Sequence, residues 1–169
     1  MRSLYIVILT SMLALFSHQS IAKAELEITW QAPENYTDVL ASNSIQKRFQ
    51  TKTFTKLNST IAQLTEKLPE GQRLLIEVKD VDLAGRVSVA LTNSNYGPRV
   101  FNSLDMPRMV FTYQLVDPDG VVLQESAVNL EAPMFLSSFN PRRNSGSLPY
   151  EKRMLRNWFK EEFAERLKS

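Results

Sequence analysis

MVFTYQLV (Met109 to Val116), DPDG (Asp117 to Gly120) and VVLQESAVNL (Val121 to Leu130) follow one another without interruption. The first and third runs are rich in β-branched and aromatic residues, and the four between them spell a turn. Pro118 at the second turn position presets φ near −65°, and Gly120 at the fourth suits a type I turn. The reading is an antiparallel hairpin.

Working outward, RLLIEVKDV (Arg73 to Val81) is an aliphatic strand with few polar interruptions, which suggests the middle of a sheet with both faces buried. Before it, Phe54, Leu57, Ile61, Leu64 and Leu68 recur at three- or four-residue spacing and mark one face of a helix over 44 to 67, stopped by Pro69-Glu70-Gly71. ELEITW (Glu25 to Trp30) alternates and reads as a first strand. After the central strand, Asp82 to Gly85 turns the chain. Arg86 to Thr92 alternates Val87, Val89 and Leu91 with polar residues, and Val100-Phe101 forms a short strand. The stretch Pro133 to Gly146 is irregular, with Met134, Phe135, Leu136 and Phe139 tucked against the domain. Pro149 then sits near the first turn of a last helix, where Met154, Leu155, Trp158, Phe159, Phe163 and Leu167 form one apolar stripe. Strand, helix, strand favours a parallel crossover, and the hairpin adds antiparallel strands. The expected fold is α+β and two-layer, one mixed sheet of four to five strands packed by two helices on one face.

The N-terminus carries Arg2, a thirteen-residue apolar run from Leu4 to Phe16 and a polar stretch ending Ala22-Lys23-Ala24. This layout predicts a signal peptide cleaved after Ala24, leaving residues 25 to 169 as a single exported domain. The apolar run is too short for a span, which needs about 20 residues. No cysteine follows it, which excludes a lipoprotein. Residues 1 to 24 hold two of the 20 basic and none of the 18 acidic residues, so the remainder is neutral at 18 against 18. A neutral domain lacks the cationic excess that nucleic acid demands. With no cysteine anywhere, and the only histidine, His18, in the expected signal peptide, the domain has neither imidazole nor thiol. Ser-His-Asp and Cys-His catalysis and His/Cys metal centres are closed to it. Carboxylate chemistry, a lysine or serine nucleophile, and hard-cation sites remain open. No cofactor is indicated.

Asp80 and Asp82, two apart at the end of the central strand, send their side chains from one face. Paired carboxylates hold Ca²⁺ or share a proton in some sites. They also cap turns, and here the turn reading is preferred because Ala84 and Arg86 supply no further ligands. Trp30, Tyr36 and Asp38, with Pro33, form a compact cluster that either lines a ligand pocket or closes the end of the core, the second being preferred. Residues 25 to 140 carry 10 basic and 14 acidic side chains, and 141 to 169 carry 8 and 4. The C-terminal segment therefore either engages an anionic partner, such as a phospholipid headgroup or a polysaccharide, or presents the solvated face of an amphipathic helix, the preferred reading.

Three blocks, LPEGQRLLIEVKDVDLAGRV (Leu68 to Val87), MPRMVFTYQLVDPDG (Met106 to Gly120) and LPYEKRMLRNWF (Leu148 to Phe159), together with Trp30, Pro33, Tyr36 and Asp38, resemble the bacterial family known as domain of unknown function 3016. The resemblance implies an exported envelope protein of Gram-negative bacteria and transfers no catalytic residues. The expected role is a periplasmic interaction or accessory protein that meets an unknown envelope protein or ligand through a sheet edge or the 131 to 147 loop. The alternative is a carboxylate-based hydrolase, or a small-ligand or calcium binder, using Asp38, Asp80 and Asp82.

Overall fold

The computed structural model describes residues 23–42, 44–88, 97–133, 135–137 and 146–167. Most of the expected signal peptide, the outer part of the expected 86 to 92 strand, and Met134 and Phe139 lie outside these residues. Among the described residues nine elements follow in order: β1 (Glu25–Trp30), a 3₁₀ turn (Pro33–Asn35), α1 (Gln46–Thr65), β2 (Arg73–Asp82), β3 (Arg86–Val87), β4 (Arg99–Val100), β5 (Arg108–Val116), β6 (Val122–Glu131) and α2 (Pro149–Glu162).

The main sheet has the order β1-β2-β5-β6. β1 and β2, joined through α1, pair in parallel with Leu26 opposite Leu74, and β2–β5 and β5–β6 are antiparallel. β3 and β4 form a separate two-stranded sheet. The hairpin closes as its sequence requires. The Gly120 amide donates to the Asp117 carbonyl at 3.0 Å, and the Asp117 carboxylate accepts from the amides of Asp119 and Val121. Gly120 itself takes φ 85°, a region glycine enters without steric cost.

β2 is central, but only one of its faces is buried. Leu74, Ile76, Val78 and Val81 point into the core, whereas Leu75, Glu77, Asp80 and Asp82 are half-exposed. The aliphatic run conceals a period of two, and both helices pack on the same side. Their residues Leu57, Ile61, Leu64, Met154, Leu155, Trp158 and Phe159 join Leu74, Ile76, Val78, Phe111, Tyr113 and Leu115 in one buried cluster. Trp158 lies edge-on to Phe111 at 4.8 Å and to Tyr113 at 5.6 Å. Phe163 is buried just beyond the helix, and Leu167 packs half-buried against the same cluster. The opposite face of the sheet is uncovered by either helix.

A bulge in β2 fixes which side the aspartates take. Val78 stands opposite Phe111 and Asp80 opposite Val110, leaving Lys79 unpaired. Without that extra residue, Asp80 and Asp82 would continue the inward series of Leu74, Ile76 and Val78. The bulge instead puts Val81 in the core and both carboxylates on the open face.

Candidate functional site

Asp38, far in sequence from Asp80 and Asp82, meets them at the carboxyl end of β2. The chain leaving the 3₁₀ turn runs beside that strand like a short continuation of β1. The Asp38 amide donates to the Val81 carbonyl at 3.1 Å, the Leu83 amide donates to the Asp38 carbonyl at 3.0 Å, and Asp38 bridges Asp82 in parallel.

Each carboxylate has a different environment. The Asp38 side chain, 14% exposed, receives both terminal nitrogens of Arg99, which is 13% exposed, at 2.9 and 3.0 Å. The same guanidinium donates to the carbonyls of Gly85 and Leu40, and the Leu40 amide returns a bond to Asp38. This two-pronged pairing holds β4 and its small sheet against the end of β2. Asp80 accepts from the amide and the hydroxyl of Thr37, both at 2.7 Å, and from Arg108 at 3.4 Å. Asp82 accepts no side-chain hydrogen bond among the described residues. Partial burial raises its pKa first and the neighbouring Asp38 charge adds to that, against the opposing pull of Arg108.

The aromatic members serve the core. Trp30 stacks on Phe54 with centroids 4.3 Å apart, and Tyr36 meets Phe54 edge-on at 5.9 Å. The Tyr36 hydroxyl donates to the Val78 carbonyl at 3.0 Å, and its pKa is pushed up to about 12 by burial first and by the Asp80 charge second. These rings close the end of the core between β1 and α1. Among the described residues no group of three acidic or metal-ligating side chains is arranged to hold a metal ion.

Three contributors lie outside the residues singled out from the sequence. Arg99 and Arg108 neutralise the cluster, and their positions 61 and 28 residues from their partners leave no trace in local spacing. The third, Glu151, was legible in principle. It precedes Met154 by three positions and Trp158 by seven, so it belongs to the apolar stripe of α2. It is 4% exposed, its Oε1 accepts the Ala84 amide at 2.8 Å, and its Oε2 has no hydrogen-bond partner among the described residues. Burial raises its pKa, and the Ala84 bond pulls the other way.

A concavity lies on the open face of the sheet, a trough of about 660 Å³ beside the aspartate cluster rather than within it. Two cross-strand rows floor it, Glu27, Leu75, Gln114 and Glu125, then Thr29, Glu77, Thr112 and Ala127. Glu77 accepts from Gln31 and Thr112, and Glu125 accepts from Gln114 at 2.8 Å. Beyond them the same face continues through Asp80, Val110 and Asn129 to Asp82, Arg108 and Glu131. No described helix is long and apolar enough to cross a membrane.

The family model described as "Protein of unknown function (DUF3016)" matches residues 24–161, nearly the whole of the folded region, and the chain belongs to that family. No curated protein matches the chain.

Proposed function

We propose that this member of the family is an exported envelope interaction protein, a binding module that receives its partner on the open face of its sheet. The observation that carries the reading is the four-strand-wide trough around Thr112, left bare by both helices and carrying Glu27, Glu77 and Glu125. Export rests on the N-terminal pattern of Arg2, the apolar run and Ala22-Lys23-Ala24. The trough replaces the sheet edge and the 131 to 147 loop as the favoured contact surface, because it combines breadth, concavity and a consistent negative charge.

The carboxylate-hydrolase alternative retains one supporting feature, the half-buried Asp82 with its raised pKa. Against it, Asp38 is closed by Arg99 and Asp80 is occupied by Thr37 and Arg108, so neither is free to move a proton. Glu77→Lys combined with Glu125→Lys separates the two readings. It reverses the trough charge without touching the core, so a partner chemically crosslinked to the wild-type protein in the periplasm is lost, while Asp82→Asn retains it. Retention by the double variant, or loss confined to Asp82→Asn, contradicts the reading.

A further inference from the structure

Charge is segregated between the two layers. The helix α1 carries Lys47, Arg48, Lys52 and Lys56 and no acidic residue along its 20 positions. Along α2 up to Lys160 the cations are Lys152 and Arg153, both half-buried, and Arg156 and Lys160, both exposed, and the one acid there, Glu151, is buried. Where the helices meet, a groove of about 410 Å³ is lined by Lys56, Lys67, Lys152 and Arg156, with the hydroxyls of Ser59 and Ser147 beside them and no carboxylate among the described residues of its wall. Lys56 and Lys152 are half-buried. None of the four cations forms an ion pair with another described residue; the described ion pairs lie elsewhere, at Lys23–Glu66, Arg86–Asp105, Arg99–Asp38 and Arg108–Asp80.

Four like charges around one concavity repel one another, and long cationic side chains on a solvated helix face ordinarily diverge or find a carboxylate. Here two packed helices hold them around the same space. Anchoring is mutual, since Leu64 of α1 lines the groove floor and Pro149 begins α2 at its rim. A tetrahedral oxyanion with more than one negative charge matches this set, with ammonium and guanidinium groups supplying charge and hydroxyls supplying further donors.

We propose that the groove between α1 and α2 binds a phosphorylated ligand through Lys56, Lys67, Lys152 and Arg156. It lies on the layer opposite the sheet trough and is independent of the partner-binding reading. The phosphate has two possible sources, a soluble phosphorylated molecule or the headgroup of an anionic lipid, and the first would leave the protein free in solution while the second would bring its helical layer against a membrane.

Two probes distinguish these sources. Inorganic pyrophosphate is titrated calorimetrically at low ionic strength, and vesicles of phosphatidylglycerol are compared with vesicles of phosphatidylcholine in co-sedimentation. The expected result is salt-sensitive binding to at least one anionic probe, reduced at least tenfold by Lys152→Gln with Arg156→Gln and unchanged by Lys79→Gln on the other layer. Pyrophosphate binding without vesicle binding assigns a soluble ligand. Binding to phosphatidylglycerol alone assigns a headgroup, and binding to both assigns a site for exposed phosphate of either origin. Far-UV circular dichroism melts establish that the double variant is folded. Absence of binding to both anionic probes, or binding that the folded double variant retains in full, overturns the proposal and leaves the groove as a solvated helix face.

Discussion

Arg99 closes on Asp38 through two charge-assisted hydrogen bonds of 2.9 and 3.0 Å, and both side chains are largely withdrawn from solvent. The pair joins the small β3–β4 sheet to the segment that prolongs β1, so its role is to fix architecture. Removing one partner leaves the other charge buried and uncompensated. Asp38→Asn and Arg99→Met should each lower stability by about 3 kcal/mol, with the double variant losing less than the sum. Urea denaturation of the three proteins measures this; a loss below about 0.5 kcal/mol for either single variant would show that the pair does not clasp the fold.

Gly85, in the turn between β2 and β3, takes φ 71°, and a Cβ built there would collide with the Val100 carbonyl oxygen. The turn therefore needs glycine both for backbone conformation and for the close approach of β4. Gly85→Val should cost at least about 2 kcal/mol. An unchanged urea midpoint would refute the requirement.

The carboxyl-terminal helix is part of the core. Leu155, Phe159 and Phe163 are at most 1% exposed, and Trp158 is surrounded by Phe111, Tyr113, Phe159 and Phe163. Deleting residues 148 to 169 should leave no cooperatively folded protein, and Trp158→Ala should cost about 3 to 5 kcal/mol. A truncated protein that still melts cooperatively near the full-length midpoint would mean that α2 docks without being required.

Glu151 gives stability a distinctive pH dependence. Burial raises its pKa in the folded state, so its contribution is fully present below the ordinary carboxylate range and is lost as pH rises through the elevated value. Gln at this position keeps an acceptor for the Ala84 amide and cannot ionise. Glu151→Gln should match the wild type at about pH 4 and exceed it by on the order of 1 kcal/mol at about pH 7.5, because neutral pH favours the buried charge only in the wild type. A difference that is constant across that range, or larger in acid, would contradict the assignment. Asp82 titrates in the same direction in both proteins and cancels from the comparison.

The hairpin, both helices and the strand-helix-strand opening are legible because each depends on local chemistry: the Asp117-Pro118-Asp119-Gly120 turn, the spacing of Leu57, Ile61 and Leu64, and the stripe from Met154 to Phe159. The single-sided burial of β2 is not, because Leu75 lengthens an apolar run whose alternate members meet no helix. The Lys79 bulge depends on pairing with β5, which strand composition does not encode. At the site, the proximity of Asp80 and Asp82 follows from their spacing of two. Their meeting with Asp38, and its closure by Arg99, arise from tertiary pairing that spacing does not encode. Glu151 was masked by chemistry rather than distance, since a glutamate among helix cations is ordinarily read as surface.

The partner-binding claim is tested most directly by site-specific photo-crosslinking in cells. A photoactivatable residue replaces Thr112 at the centre of the trough, and in a second strain it replaces Lys52 on the outer face of α1. The account predicts a discrete adduct from position 112, recovered in the periplasmic fraction, and none from position 52. An adduct from position 52 alone, no adduct from position 112, or protein confined to the cytoplasm would contradict it.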